Sequence, residues 1–449
     1  MGKFFSRHFY VIFYPALSVF LICLFSSSNA PDAGTRQNYA YRASNSFNPV
    51  RTVVQNRIKV VFPFEKRLSS AYAPFGPGMD EELLALFLAE TNREASFFYA
   101  RGYKEAMELV RQKRCDLMVG FGGDFGEEHG GYFARGPVYA SVYPVVVKTT
   151  SKIRIDNMYS NMLHSSVADM DSGSVFLLDP QAYSVLFPLH EGLRVQGALK
   201  EPVGYRWFWN ADDAQLTEQM EAFWENAGGG ELLVELRERY YGFMPKTSRH
   251  QDLRVLAQII TEKMDLYSEA IAKAAEETGL DPLLIAAVIF QESRFDPEAT
   301  SYTGVRGLMQ LTSDTAKMLK VDRLDPEQSI LGGTRYLRYI SDSLQYLDIS
   351  EWDRWCLTLA AYNQGPANVR NALRLAETRG LGQNWTELRE VYARLQDSGV
   401  ASKGFRPQEA LDYVENVRYY YYVMSRLVTM ADGEKQNFAP LLFLRTSTN

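Results

Sequence analysis

Cysteine is nearly absent: the 449 residues hold three. Cys23 lies in the N-terminal apolar run, which leaves Cys115 and Cys356 far apart in sequence. Two lone thiols in separate modules read as small apolar packing residues, even in a compartment that permits a disulfide. Histidine is also scarce, five in all with no metal-ligand spacing, so neither a metal nor a cofactor is expected. Positive charge is not in excess. Lys and Arg total 48 against 54 Asp and Glu, net -6, with no dense basic run, so nothing points to nucleic acid as a partner. What is present is ample apolar material for real cores, in a chain long enough for two to four domains.

The first thirty residues have the layout of an export signal. Lys3, Arg7 and His8 precede an apolar run from Phe9 to Phe25, and small or polar residues from Ser26 to Ala30 follow. The small-residue rule favours cleavage after Ala30, and Pro31 opposes it. The run is also near the length that spans a bilayer, so residues 1–30 are a signal peptide or a membrane anchor. Residues 31–56 are polar and irregular and read as a tether.

From residue 57 strands and helices alternate. Ile58–Phe62, Ala95–Tyr99 and Asp116–Phe121 read as strands, and Met79–Glu90 and Tyr103–Gln112 as helices. That βαβαβ pattern implies a parallel sheet with helices on its faces. The stretches "KVVFPF", "FGPGMDEELLALFLAE", "YKEAMELVRQKRCDLMVGFGG" and "FARGPVYASVYPVVVK" resemble a periplasmic solute-binding domain of the amino-acid-binding type. Trp207–Gly242 resembles that family's last strand and final helix. The resemblance covers residues 57–245 and implies a bilobed α/β module for an amino-acid-like ligand or a wall-derived muropeptide. One departure matters. The family's carboxylate-clamping Arg is missing from GDFGEEHGGYF, where Glu127 and Glu128 stand instead, and the nearest candidate, Arg135, is shifted. The aromatics Tyr205, Trp207, Phe208 and Trp209 allow sugar stacking, but alternation in a strand favours core packing.

FMPKTSRHQ, residues 243–251, has a linker composition, and the interdomain linker is placed at 246–261. Beyond it the pattern is helical: one long helix over Leu253–Thr278, then further helices to Pro407–Met430. The central stretch is Asp281–Gln310. Asp281 can cap a helix, Pro282 suits its first turn and Pro297 discourages continuation. Ile285, Val288, Ile289 and Glu292 share one face, so a carboxylate ends an apolar stripe. Burial raises a carboxyl pKa, and a Glu kept protonated near neutral pH can act as a general acid. The bland alternative is a solvated or salt-bridged glutamate. Three further blocks follow: Gly304-Val305-Arg306-Gly307-Leu308-Met309-Gln310, whose last two residues are read as opening a helix; Ala360-Ala361-Tyr362-Asn363-Gln364-Gly365-Pro366; and Tyr413 ahead of the run Tyr419–Tyr422.

These blocks, in this order, resemble the catalytic domain of soluble lytic transglycosylases, an all-α fold of the goose-type lysozyme kind. The match spans residues 262–435, with 436–449 as a tail. Both modules together resemble the membrane-bound lytic murein transglycosylases. The resemblance implies cleavage of the β-1,4 bond between N-acetylmuramic acid and N-acetylglucosamine in peptidoglycan glycan strands, leaving 1,6-anhydromuramoyl ends. It implies an exported protein in the periplasm, peripheral to or anchored at the outer membrane. Glu292 would be catalytic. Ser293 would hold the glutamate or substrate, Met309 and Gln310 would line the saccharide groove, and Tyr362 and Asn363 would contact sugar or Glu292. Tyr413 would be the late tyrosine near the glutamate. Asp296, one turn on, is the only nominee for a second carboxylate, and its place beside Pro297 suits a turn role better. A hydrolytic muramidase and a non-catalytic wall-binding protein are the competing readings.

Overall fold

The computed structural model describes residues 57–63, 75–100, 102–123, 131–149, 175–181, 183–184, 193–228, 230–245, 250–302, 304–398 and 406–431. The expected signal or anchor (1–30), the tether (31–56), Glu127, Glu128 and the tail (436–449) lie outside them. The chain divides into two compact units. The first takes the described residues of 57–71 and 77–237. The second takes Phe75, Gly76 and the described residues from 238 onward.

The first unit is α/β. Strands β1 (Arg57–Pro63), β2 (Glu94–Ala100) and β3 (Leu117–Gly122) alternate with helices α1 (Met79–Thr91) and α2 (Tyr103–Arg111). β1 pairs in parallel with both β2 and β3, as the alternation requires. β3 pairs on its other edge with β9 (Val203–Asn210), which is antiparallel to it and also pairs with β4 (Phe133–Arg135) and β5 (Ala140–Val142). A second sheet orders β7 (Val175–Leu178), β6 (Val145–Thr149) and β8 (Leu193–Ala198). The aromatics of β9 are core, as alternation favours. Trp207, Phe208 and Trp209 are buried, and Trp207 meets Phe87, Phe223 and Trp224. After β9 come two helices where one was expected, α3 (Ala214–Gly228) and α4 (Glu231–Tyr241).

The second unit is helical. Its compact boundary falls inside α4, between Arg237 and Glu238, earlier than composition suggests. The cause is Arg418. Its buried guanidinium donates to the carbonyl oxygens of Glu238 (3.0 Å) and Arg239 (2.5 Å) and lies over Phe243 and Trp352. Residues 246–261, expected as a linker, include the helix α5 (His250–Glu262), because Leu253, Leu256, Ile259 and Ile260 are buried. The single helix expected over 253–278 is broken. A 3-10 turn, Met264–Leu266, separates α5 from α6 (Ser268–Thr278). The break buries Met264 and leaves Leu266 exposed, with the Ser268 hydroxyl on the Asp265 carbonyl oxygen.

The remaining helices are α7 (Pro282–Ser293), α8 (Ser313–Leu319), α9 (Pro326–Ser343), α10 (Glu351–Gln364), α11 (Pro366–Thr378), α12 (Trp385–Ser398) and α13 (Pro407–Ala431). α7 is buried on all sides from Pro282 to Phe290, so it is the core of the unit rather than an amphipathic surface helix. The long α13 packs along it. Cys115 and Cys356 are free and buried, one in each unit.

Candidate active site

The site begins with how α7 is held at its two ends. Asp281 caps it, accepting from the Leu283 amide at 2.8 Å, and Pro282 occupies the first turn. The second Asp281 oxygen accepts from the Tyr421 hydroxyl at 2.8 Å. At the far end Arg294 and Phe295 both adopt left-handed backbone, at φ 54° and 56°, although neither is glycine. Side-chain burial compensates this strain of about 1 kcal/mol or more per residue. Phe295 is fully buried, and the Arg294 guanidinium lies 4.2 Å from the Phe290 ring centroid while pairing with Asp252. The double turn ends the helix at Ser293, directly after Glu292.

Glu292 accepts a 2.6 Å hydrogen bond on Oε1 from the Tyr413 hydroxyl. The residue keeps some exposure, yet desolvation of its carboxyl pushes the pKa from 4.5 to about 7. The Tyr413 bond, which favours the ionised form, opposes this and does not outweigh it. No cation figures among the causes. Tyr362 and Tyr413 are both pushed well above the ordinary tyrosine range, chiefly by burial and next by the Glu292 charge. One acid therefore sits between two phenols that stay neutral.

The Gly304–Gln310 block forms a tight loop behind the acid. The Ser293 hydroxyl donates to the Leu308 carbonyl oxygen at 2.8 Å and to that of Ile289 at 3.2 Å, so Ser293 ties α7 to the loop and makes no hydrogen bond to Glu292. Gly307 has φ 81°, and a Cβ there would overlap the Arg323 carbonyl oxygen, so no other residue fits. Met309 and Gln310 do not open a helix as expected. They lie in a turn, and α8 starts at Ser313 behind a Thr312 cap. Met309 is fully buried, so its side chain does not line an open groove. Its amide donates to Ser329 Oγ at 3.3 Å, and its carbonyl oxygen accepts from the Tyr362 hydroxyl at 2.8 Å. Gln310 spends its side-chain amide donors on the carbonyl oxygens of Ala299 (2.9 Å) and Gly307 (2.8 Å), which holds its own left-handed backbone at φ 47°.

The structure brings Glu292, Tyr362 and Tyr413 together around one carboxyl. It selects Tyr413 from the tyrosines of α13, because Tyr420 donates to Asp252 and Tyr421 to Asp281. Asn363 is placed differently. Its Oδ1 accepts from Gln364 at 2.7 Å, and among the described residues no hydrogen bond joins it to Glu292. Asp296 accepts from the Glu298 amide in a turn and is exposed, so it supplies no second carboxylate to the acid. Three supporting residues went unread in the sequence: Ser329, Thr334 and Gly333 of α9. Gly333 admits the Met309 side chain, which a Cβ would strike, and Thr334 lies 3.9 Å from the Met309 sulfur. The signal was the Gly332-Gly333 pair inside a helix, a costly placement that calls for a packing reason.

Residues 269–383 match the Transglycosylase SLT domain family. The membrane-bound lytic murein transglycosylase F of Stutzerimonas stutzeri is 39% identical over 234 residues, covering 51% of this chain and 48% of that protein. Its namesake from Pseudomonas fluorescens is 37% identical over 220 residues, covering 48% and 45%. The chain spans about half the length of the curated relatives it matches. Among solved structures, an ancestral arginine-binding protein bound to arginine aligns at TM-score 0.31 and 11% identity, over 42% of this chain and 99% of that one. The topology of the first unit stands on its own strand pairing.

Proposed function

We propose that this protein is a peptidoglycan lytic transglycosylase. The observation that carries the reading is the Glu292 carboxyl, desolvated to a pKa of about 7 with a neutral tyrosine as its hydrogen-bond partner. Such an acid holds its proton in a good fraction of molecules at neutral pH and still ionises readily once the proton is given up. The bond cleaved is the β-1,4 link between N-acetylmuramic acid and N-acetylglucosamine. Glu292 gives its proton to the bridging oxygen as the bond to the anomeric carbon breaks. The carboxylate so formed is stabilised by the Tyr413 hydroxyl and then takes the proton of the muramoyl 6-hydroxyl. That oxygen closes on the anomeric carbon, leaving a 1,6-anhydro ring. The proton count balances, Glu292 ends protonated, and no water is consumed.

A glycoside hydrolase ordinarily needs a second carboxylate within about 5–10 Å of the first. Among the described residues no other carboxylate contributes to the Glu292 shift, and Asp296 is engaged in its turn. A nucleophile supplied by the sugar itself fits this arrangement better than an activated water. Ser293, Met309 and Gln310 serve the reaction by fixing the loop, and Tyr362 anchors that loop at Met309. Asn363 faces the sugar rather than the acid.

The catalytic module is 262–435 in this reading, extended forward by the packing at Glu238. The first module, residues 57–245, takes an amino-acid-like or muropeptide ligand. Its support is the strand order β2-β1-β3, which reverses direction beside β1 and so opens a crevice at the strand ends. The protein is exported to the periplasm and sits peripheral to or anchored at the outer membrane, with residues 1–30 serving as a signal peptide or as an anchor. Mass spectrometry of digested sacculi tests the enzymatic reading. Anhydromuramoyl ends support it, and reducing ends, heavier by one water, convert it to a hydrolytic muramidase. Absence of any product in wild type, or full activity in Glu292→Gln, refutes catalysis. Calorimetric titration with muropeptide tests the first module, and no heat of binding refutes that part.

A further inference from the structure

Beyond the acid, α9 carries an aromatic surface that the catalytic steps leave unused. Tyr336 and Tyr339 are one turn apart on it. Their rings are nearly parallel, 13° between planes, with centroids 6.3 Å apart. The rings therefore form a step rather than a face-to-face stack. Tyr336 is partly buried and meets the Tyr362 ring at 5.7 Å, so the step is continuous with the catalytic cluster. Tyr339 is 58% exposed, so its ring is open to solvent. Exposure alone is ordinary for a surface tyrosine, and what distinguishes this one is its near-parallel pairing with Tyr336 beside the catalytic cluster. The neighbouring cations of α9 are engaged, Arg335 with Glu277 and Arg338 with Asp342. Arg370 of α11 is not. It is exposed, it has no ion-pair partner among the described residues, and its charge reaches the Tyr336 phenol.

We propose that Tyr336, Tyr339 and Arg370 form a glycan subsite that takes a peptide-bearing muramoyl residue, with the sugar on the tyrosine step and a stem-peptide carboxylate on Arg370. This deepens the transglycosylase reading and rests on it. A pyranose ring has one face lined by C–H groups, which an aromatic ring covers well. A guanidinium beside that ring supplies charge-assisted donors for a carboxylate. The stem carboxylates distinguish peptidoglycan from a neutral polymer of N-acetylglucosamine, so the cation makes the subsite selective for wall carrying its peptides.

The test measures KM and kcat for product release from two substrates: glycan strands with stems intact, and the same strands stripped of peptide by an amidase. Tyr339→Ala should raise KM roughly tenfold on both, about 1.4 kcal/mol of lost binding, with kcat in the wild-type range. Tyr339→Trp, which keeps a platform, should restore KM. Arg370→Glu should raise KM roughly two- to fivefold on stem-bearing strands alone, the size of an exposed ion pair. Unchanged KM in Tyr339→Ala overturns the platform. An Arg370→Glu effect that is absent, or equal on both substrates, overturns the carboxylate contact. Both residues are exposed, so neither variant threatens the fold. Anhydro products from wild type in the same assay keep the parent reading standing when the subsite fails.

Discussion

Replacing Glu292 by Gln separates the electrostatics of the site from its chemistry. In the folded chain the carboxyl titrates at about 7, against 4.5 without its surroundings. Below pH 4.5 it is protonated whether the chain is folded or not, and it contributes nothing to the pH dependence of stability. Between 4.5 and 7 the unfolded chain gives up the proton and the folded chain retains it. Folding stability therefore falls as pH rises through that window, and the loss levels off above about 7. The shift corresponds to roughly 3 kcal/mol in the limit. Gln has the same shape, keeps an acceptor for Tyr413 and has no ionisation to oppose. The other raised carboxyls, Asp281, Asp353 and Glu415, are common to both proteins and cancel in the comparison. Thermal melts of both proteins from pH 4 to 8 should give equal Tm at the acid end. By pH 8 the variant should melt higher by about 6–12 °C, taking about 2–4 °C per kcal/mol for a unit of this size. Activity on sacculi should fall about a thousandfold in the same variant, the scale of a lost general acid. A Tm difference that does not change with pH, or one that favours wild type at pH 8, refutes the desolvated acid.

Other variants bear on the frame around it. Tyr413→Phe removes the bond that lowers the Glu292 pKa, so the alkaline limb of the pH–rate profile should move to higher pH; a limb that stays put or moves down contradicts the pairing. Gly307→Ala combines left-handed backbone with a clash against the Arg323 carbonyl oxygen and should cost at least about 2 kcal/mol in chemical denaturation. A neutral result would mean that the loop is not held as described. The Cys115 and Cys356 thiols are pushed up to about 12 by burial, so a thiol reagent at pH 8 should label neither until denaturant is added, and rapid native labelling contradicts their burial.

The sequence was legible where local chemistry decides. Asp281-Pro282 announced the start of α7 because a cap and a first-turn proline act within three residues. Glu292 was legible from its blocks and its apolar stripe, and Tyr413, 121 residues away on α13, was reached through the resemblance and not through local pattern. The run Tyr419–Tyr422 held the competing candidates, and helical phase places Tyr413 on the acid and Tyr421 on the cap. Met309 and Gln310 were expected to line the groove because the family resemblance carries that role to their positions. In the fold their backbone and amide groups close the loop on itself, a use that leaves no mark in composition. The break at Met264–Leu266 has neither glycine nor proline, and burial of Met264 imposes it. The linker at 246–261 was drawn across the start of the helix read from Leu253: the polar residues around Pro245 set its beginning, while Leu253, Leu256 and Ile260 are buried in a helix that already starts at His250.

The central claim is that the Glu292 carboxyl is a neutral acid at the pH where the wall is cut. Difference infrared spectroscopy between wild type and Glu292→Gln reads the protonated-carboxyl stretch of that one residue as pH is raised. The band should persist beyond pH 6 and vanish with a midpoint near 7; a midpoint near 4.5, the value of an unperturbed glutamate, contradicts the mechanism.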